Sequence, residues 1–522
     1  MATVTLTDLF SNLNGWQGDL LWAGNGTTVT KTSATVFSYV FGAGHQFAGY
    51  TVTIRGTGFA YSGTTPTGGD MAKLVITDGL GQTVLTVAGI TANTLASDIS
   101  LFAAYSFGWS DPNGGSSGPQ VKNAWSQLLT GNDVFNGTAG DDIRGMVGVN
   151  AGDDVFNMGT GDDVVEGGLG DDTINGDGGY DTLSYEQTHW NEGIPMVRGI
   201  TVNMVNGVGT VLDPFGYTDQ FTGIEKIIGS AFNDQIFGGV GNNDFRGLRG
   251  NDTMSGGGSD DWVVYHDDAG LGGKNGIIVN LSVVAAGGTI TGTIMDGFGN
   301  IDTTIDIESV RGTRYNDKFV GSSAQNKFAG GEGKDSYDGR GGATDTIWFF
   351  MSNGNSDPHG INVDLSLASG QIKDDGYGNV ENVTSIEWVV GTMSNDRIKG
   401  SSGANLLEGL GGIDTLTGGG GHDQFAFFHD FAFNNNDVIT DFTAGAGAER
   451  DVLYIGMSAM SLSTTLTLVN GTAATAAVGT FIFNTANDTL FWDVDGTGSN
   501  AMFAVCTLNG VNALSAANFD LV

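Results

Sequence analysis

Gly167-Gly168-Leu169-Gly170-Asp171-Asp172-Thr173-Ile174-Asn175 is a nonapeptide of glycine, glycine, any residue, glycine, any residue, aspartate, any residue, an apolar residue and any residue. Each position has a mechanical job. The glycines permit tight-turn backbone angles and let carbonyl oxygens approach where a side chain would block them. Asp172 supplies a hard anionic oxygen of the kind that suits Ca²⁺. Ile174 opens a short strand with its side chain turned inward. Repetition of this unit implies an all-β fold, a calcium-stacked parallel β-roll or β-solenoid. Two nonapeptides make one coil, the apolar residues fill a thin core, and the aspartates are expected to line two outer rows with calcium between successive turns.

The unit recurs in four blocks. The first opens at Leu129-Thr130-Gly131-Asn132-Asp133 and runs in phase to Gly140-Asp141-Asp142, where Arg144 takes the apolar slot. After three extra residues, phase holds through Asp154, Asp163, Asp172 and Asp181, with Phe156, Val165, Ile174 and Leu183 in the core slot. Block two carries Asp234, Asn243, Asp252 and Asp261, with Ile236, Phe245, Met254 and Val263 inward. Block three reads Asp317, Asn326, Asp335 and then Asp345, displaced by one residue. Block four reads Asp396, Asn405, Asp414 and Asp423, with Ile398, Leu407, Leu416 and Phe425 inward. These acids and amides, from Asp133 to Asp423, are the candidate metal ligands. Asn243, Asn326 and Asn405 all fall on the second unit of a block, so that row is expected to hold calcium more weakly, because a neutral amide lowers the charge around the ion.

A longer period lies above the nonapeptide. Ile224-Glu225, Ile307-Glu308 and Ile386-Glu387 precede Gly229, Gly312 and Gly391 by the same spacing, which makes a super-repeat of roughly 80 residues. Each spacer has an alternating stretch that reads as a strand, Ile200 to Val205, Ile277 to Leu281 and Ile361 to Leu365. The turns Asp213-Pro214-Phe215-Gly216, Asp296-Gly297-Phe298-Gly299 and Asp375-Gly376-Tyr377-Gly378 follow, so the spacers are expected to extend the same stack.

The blocks, the Ile-Glu lead-ins and the closing segment resemble the repeats-in-toxin (RTX, hemolysin-type) family of secreted bacterial calcium-binding proteins, over about residues 128–522. Asn436-Asp437-Val438-Ile439-Thr440-Asp441-Phe442, followed by Asp451-Val452-Leu453, is similar to the segment that closes the roll in secreted metalloproteases of that family. Leu490-Phe491-Trp492-Asp493-Val494-Asp495-Gly496-Thr497-Gly498 also recurs near the end of such proteins, and its alternating acids read either as a further ion site or as a plain hairpin turn. The tail Asn518-Phe519-Asp520-Leu521-Val522 is similar to the family's uncleaved export signals. The resemblance implies the type I secretion apparatus as a partner and an extracellular, secreted location, either free or associated with the cell surface. Low calcium inside the cell keeps such a chain threadable, and millimolar calcium outside folds it.

Composition agrees. The 522 residues include 88 glycines, and 58 acids against 20 bases give a formal charge of -38. Such a chain repels itself and loses much entropy on ordering. Without cations the repeats are expected to stay unfolded, as zinc fingers do without zinc. Roughly ten bound Ca²⁺ ions would cancel about half the excess charge. No basic stripe exists, which excludes nucleic acid as a partner. No stretch is long and apolar enough to span a bilayer, and Met1 to Asn12 lacks a conventional secretory signal. Cys506 is alone, so no intramolecular disulfide forms.

The expected organisation is an N-terminal β-rich domain over 1–112, a linker over 113–127, RTX block 1 over 128–190, spacer-and-block units over 191–270, 271–350 and 351–430, and a capping and secretion-signal region over 431–522. In the N-terminal region Tyr50 to Ile54, Lys73 to Thr77 and Thr83 to Val87 alternate as strands, and Thr94 to Phe107 reads as one helix or two short pieces. Catalytic signatures are missing. No His-Glu-x-x-His occurs, the region's one histidine is His45, and Gly114-Gly115-Ser116-Ser117-Gly118 matches a nucleophile elbow only inside a linker. The sequence therefore points to a calcium-binding surface, adhesion or matrix protein, with cell-surface glycan or further copies of itself as candidate partners. The alternative is a hydrolase whose N-terminal domain holds the site and whose repeats serve secretion and folding.

Overall fold

The structure is a computed structural model. It describes residues 152–186, 196–284, 290–342, 344–349, 359–428, 436–456, 466–498 and 502–522, together with the backbone of seven earlier strands. Asp133 and Asp142, the linker, the Thr94 to Phe107 segment and His45 lie outside the described residues. The chain forms two compact units, Met1–Asp261 and Trp262–Val522. Among the described residues no helix is long and apolar enough to cross a membrane.

The eighteen-residue coil is visible in the strand register. Thr173 pairs with Val155 and Ile174 with Phe156, while Thr182 pairs with Val164 and Leu183 with Val165, each pair parallel and two nonapeptides apart. Strands of mostly two to six residues alternate between two parallel ladders. In the first unit one ladder contains Val155–Gly159 and Thr173–Asn175, and the other contains Val164–Val165, Thr182–Ser184, Lys226–Ile228 and Asp244–Arg246. The core-slot residues Phe156, Val165, Ile174, Leu183, Ile236, Phe245, Met254, Val263, Ile398, Leu407, Leu416 and Phe425 are each at most 1 % exposed. Each fully buried side chain of this kind contributes roughly 2 kcal/mol, so the core grows by only two such contributions per coil.

The spacers join the stack by a detour that alternation alone does not reveal. Thr201–Val205, Val208–Leu212 and Thr218–Thr222 form an antiparallel meander. Its last strand lies parallel on Thr173–Asn175 and its first lies parallel on Gln235–Val240. Two extra strands are thus inserted into one ladder, while the other passes directly from Thr182–Ser184 to Lys226–Ile228. In the second unit Ile278–Val284, Ile290–Met295 and Ile301–Ile305 repeat the meander, with Ile278–Val284 parallel to Lys318–Val320. The third spacer is an abbreviated copy, in which Asn362–Asp364 pairs antiparallel with Ile372–Asp374 and parallel with Arg397–Lys399.

At the C-terminal end, Phe503–Leu508 pairs in parallel with Asp437–Ile439, and Phe519–Leu521 with Val452–Ile455. The closing segment thereby caps both ladders of the second unit. Thr489–Asp493 forms antiparallel pairs with Thr480–Asn484 and with Phe503–Leu508. In the first unit the N-terminal strands Thr51–Ser62, Thr65–Thr77 and Thr83–Ala88 are antiparallel neighbours. Thr3–Leu6 links them to Val134–Thr138, which lies parallel on Val155–Gly159.

Candidate metal centre

Where they are described, the candidate aspartates are inside the turns, not on the outer rows expected of them. Asp154, Asp163, Asp172 and Asp181 are each 1 % exposed, and the residue one place earlier, Asp153, Asp162, Asp171 or Tyr180, takes the surface position. Two ladders of opposite sense result. The inner carboxylate accepts from the coil before it, with Asp154 N–H donating to Asp172 Oδ1 at 2.8 Å and Asp163 N–H to Asp181 Oδ1 at 2.9 Å. The outer carboxylate accepts from the coil after it, with Asp171 N–H donating to Asp153 Oδ1 at 3.1 Å and Tyr180 N–H to Asp162 Oδ1 at 2.8 Å.

The later blocks repeat the inner pattern. Asp234 donates to Asp252, Asn243 to Asp261, Asp317 to Asp335, Asn326 to Asp345, Asp396 to Asp414 and Asn405 to Asp423, always from backbone N–H to Oδ1. One row therefore runs through the first and third units of a block and the other through the second and fourth.

The residue four places before each acid decides what happens to its second oxygen. At Asp234, Asp317 and Asp396 that residue is Ser230, Thr313 or Thr392, whose N–H donates to Oδ2 and whose hydroxyl donates to Oδ1. Ile200, Ile277 and Ile361 N–H groups complete these caps. At Asp172, Asp181 and Asp414 the corresponding residue is Gly168, Asp177 or Leu410, with φ of 103°, 66° and 68°. A left-handed residue turns its N–H away. Oδ2 of Asp172, Asp181 and Asp414, and likewise of Asp345, is buried with no hydrogen-bond partner.

Burial shows in the titration of open and capped acids alike, since the capped Asp234 rises to about 6 and Asp317 and Asp396 to about 7. Burial first, and the neighbouring Asp219 carboxylate second, push Asp172 up to about 8 from the ordinary 3.8. Asp181 and Asp345 rise to about 6, again chiefly from burial. A buried anion that lacks a partner costs several kcal/mol, and a cation beside it removes that cost.

Glycine makes room for these carboxylates. A Cβ added at Gly409 would stand 2.0 Å from Asp414 Oδ2, and one at Gly167 would stand 2.6 Å from Asp172 Oδ2. Elsewhere the glycine faces a carbonyl of the preceding coil, since a Cβ at Gly170 would be 1.9 Å from the Gly152 oxygen. Among the described residues no three Asp, Glu, His or Cys side chains gather into a metal-holding group. An ion on these rows would therefore draw its remaining donors from backbone carbonyls. Carboxylate and carbonyl oxygens are hard donors that fit Ca²⁺ and not a thiophilic metal.

Some row members carry no nonapeptide signature. Asp219 takes the N–H of Asp172 at 3.0 Å, and Glu381 takes that of Asp335 at 2.7 Å. The lead-in residues Glu225 and Glu387 take the N–H groups of Asp181 and Asp345. Asp437 and Asp451 finish the rows by accepting from Asp414 and Asp423. The shared six-residue spacing between Asp219 and Glu225 and between Glu381 and Glu387 is the signal that would have found them.

Asn326 and Asn405 also have a structural role that a carboxylate cannot fill. Each accepts from a serine four residues earlier through Oδ1, and each donates Nδ2 to a lead-in carbonyl, Glu308 or Glu387, at 3.2 Å. Asn243 differs, with its Oδ1 buried and without a partner. The described histidines are engaged off the rows. His359 meets Asp374, His266 meets Asp267, and His422 contacts the Arg450 carbonyl.

The RTX calcium-binding nonapeptide repeat (4 copies) family matches residues 129–143, 149–183, 220–254, 237–269, 311–344 and 390–425. This is an RTX-repeat protein. No curated protein matches it. The matched segments of the RTX chain hold the candidate ligands of all four blocks except Asp345, and they also include the lead-in Glu225, which belongs to a spacer. The chain is a calcium-binding protein of RTX type.

Proposed function

We propose that this protein leaves the cell unfolded through a type I apparatus, folds as its acid rows take up Ca²⁺ outside, and serves there in a non-enzymatic surface, adhesion or matrix role. The observation that carries the reading is the set of buried, unpartnered oxygens on Asp172, Asp181, Asp345 and Asp414. Without a cation they oppose folding; with one they tie neighbouring coils together. We assign the ligand role to Asp133, Asp142, Asp154, Asp163, Asp172, Asp181, Asp252, Asp261, Asp335, Asp345, Asp414 and Asp423. Asp234, Asp317 and Asp396 serve first as hydrogen-bonded caps, and the row with Asn243, Asn326 and Asn405 holds its ions more weakly.

Calcium supplies divalent charge and flexible coordination of oxygen. The chain supplies the rest: the glycine turns present carbonyls, the ladder bonds fix each carboxylate, and the apolar slots dock once the turns are held. Export is supported by this coupling, because a cytoplasm poor in calcium leaves the chain extended. The test is co-expression with a type I exporter. Calcium-ordered protein is expected in the medium, and retention of all the protein inside the cell would refute export. Screening the purified full chain in Ca²⁺ against glycans, esters and peptides should give no turnover. Turnover that co-purifies with the chain would overturn the non-enzymatic role.

A further inference from the structure

The spacers carry acids at a fixed interval. Asp213, Asp219 and Glu225 recur as Asp296, Asp302 and Glu308, and again as Asp375, Glu381 and Glu387, with successive members six residues apart. The last of each set is the lead-in. The middle acid continues a row, as the bonds from Asp172 to Asp219 and from Asp335 to Glu381 show. The first lies in the meander turn, fully buried at Asp213 and Asp296, and its Oδ1 accepts the turn's own N–H groups.

Three further observations point to a ligand. Asp213 Oδ2, Asp172 Oδ2 and Glu381 Oε2 are buried and without hydrogen-bond partners, on residues at most 1 % exposed. A phenol adds an oxygen at each spacer. Tyr185 donates to Asp219 Oδ2 at 2.7 Å, Tyr265 to Asp302 Oδ2 at 2.8 Å, and Tyr337 lies 3.4 Å from Asp335 Oδ2. Carboxylates of two different coils also flank one glycine, because a Cβ at Gly167 would be 2.6 Å from Asp172 Oδ2 and 3.4 Å from Asp219 Oδ2. Arg198 stands beside the turn, its Nε donating to the Asp213 carbonyl at 3.3 Å and its charge favouring the Asp213 carboxylate, yet it leaves Asp213 Oδ2 without a hydrogen bond.

We infer that each spacer holds a divalent-cation site of its own, between the row acid before the meander and the middle acid of the spacer, with the turn aspartate balancing charge. The first site uses Asp172 and Asp219 beside Asp213. The third uses Asp335 and Glu381 beside Asp375. The second departs from this rule: Asp268, which is not a row acid and accepts the Gly297 N–H at 2.9 Å, stands in for one opposite Asp302, beside Asp296. The middle position is Asp in two spacers and Glu in the third, so the carboxylate is kept while its length is not. Two carboxylates and backbone carbonyls again make a hard-oxygen site for an ion such as Ca²⁺. The inference rests on the reading that the nonapeptide rows bind Ca²⁺.

The test is the full chain crystallised with Tb³⁺ in place of Ca²⁺ and examined by anomalous diffraction. Peaks are expected beside Asp219, Asp302 and Glu381 in addition to those along the nonapeptide rows. Peaks on the rows alone overturn the spacer sites and leave the calcium reading standing; no peaks at either place overturn both. In solution, D219N and E381Q should each bind one ion fewer by native mass spectrometry, and D219E should bind the wild-type number. A wild-type count in D219N and E381Q, with strand content intact, overturns the inference. Should either variant fail to fold, the wild-type map decides.

Discussion

Asp172→Asn and Ser230→Ala separate the two kinds of row position. Asp172 has a buried, unpartnered Oδ2 and a carboxyl pushed to about 8 by burial and by Asp219. Holding that group in the metal-free fold near pH 7.5, against its ordinary 3.8, costs about 5 kcal/mol at ~1.4 kcal/mol per unit. The amide in D172N removes this cost and keeps an acceptor for the Asp154 N–H, now at 2.8 Å. In chelator the variant should therefore be at least as rich in strand as the wild type. In saturating Ca²⁺ it should bind one ion fewer. Ser230 instead donates its hydroxyl to Asp234 at 2.8 Å and accepts the Phe232 N–H at 3.1 Å. S230A loses both bonds, about 1–3 kcal/mol, whatever the calcium concentration. It should bind the wild-type number of ions and unfold at lower urea. Circular dichroism in chelator, ion counting by native mass spectrometry and urea melts in Ca²⁺ read the differences. A D172N chain that bound the wild-type number of ions, or lost strand in chelator, would refute the distinction between open and capped acids.

Acid should partly replace calcium. The folded chain holds protons on Asp172, Asp181 and Asp345 at pH values of about 6 to 8, where the unfolded chain, at 3.8, has lost them. The stability from these protonations is complete below about pH 4 and drains away as pH rises through 6 to 8. In chelator, strand content should rise between pH 8 and pH 5.5, which is still above the isoelectric point of about 4.1; a flat profile by circular dichroism would count against it. Gly409→Ala places a Cβ 2.0 Å from Asp414 Oδ2 and should cost at least ~2 kcal/mol in urea melts, whereas Gly341→Ala, with nothing within 4 Å, should cost close to none. Cys506 is fully buried, and burial raises its thiol well above the usual range. A thiol reagent should label it quickly in chelator and slowly in Ca²⁺, and equal rates would mean that the Phe503–Leu508 strand does not dock on calcium binding.

The coil was legible because its rule is local and repeated. An apolar residue two places after each aspartate fixes the inward slot, and Phe156, Ile236 and Leu416 fill it as their spacing requires. The spacer strands and their turns were legible for the same reason, since alternation and Asp-x-Phe-Gly or Asp-Gly-Tyr-Gly punctuation are local signals. The antiparallel sense of the meander was not, because Val208–Leu212 carries no mark of which neighbour it will face. The direction of the inner aspartates was also hidden. It depends on backbone angles four residues upstream, such as the left-handed Asp177, Leu248 and Leu410, which a glycine-based pattern does not anticipate. Asp219 and Glu381 escaped notice because they sit in strands without the glycines that flag a row acid. Their place becomes evident only when the register puts them one coil beyond Asp172 and Asp335.

The central claim is that oxygen rows bought at the expense of metal-free stability make calcium part of the fold. Far-UV circular dichroism of the purified full chain, first in chelator at pH 7.5 and then in millimolar Ca²⁺, tests it most directly. The account predicts a coil spectrum that converts to strand on adding Ca²⁺ and reverts on chelation. A strand spectrum already complete in chelator and unchanged by Ca²⁺ would contradict it.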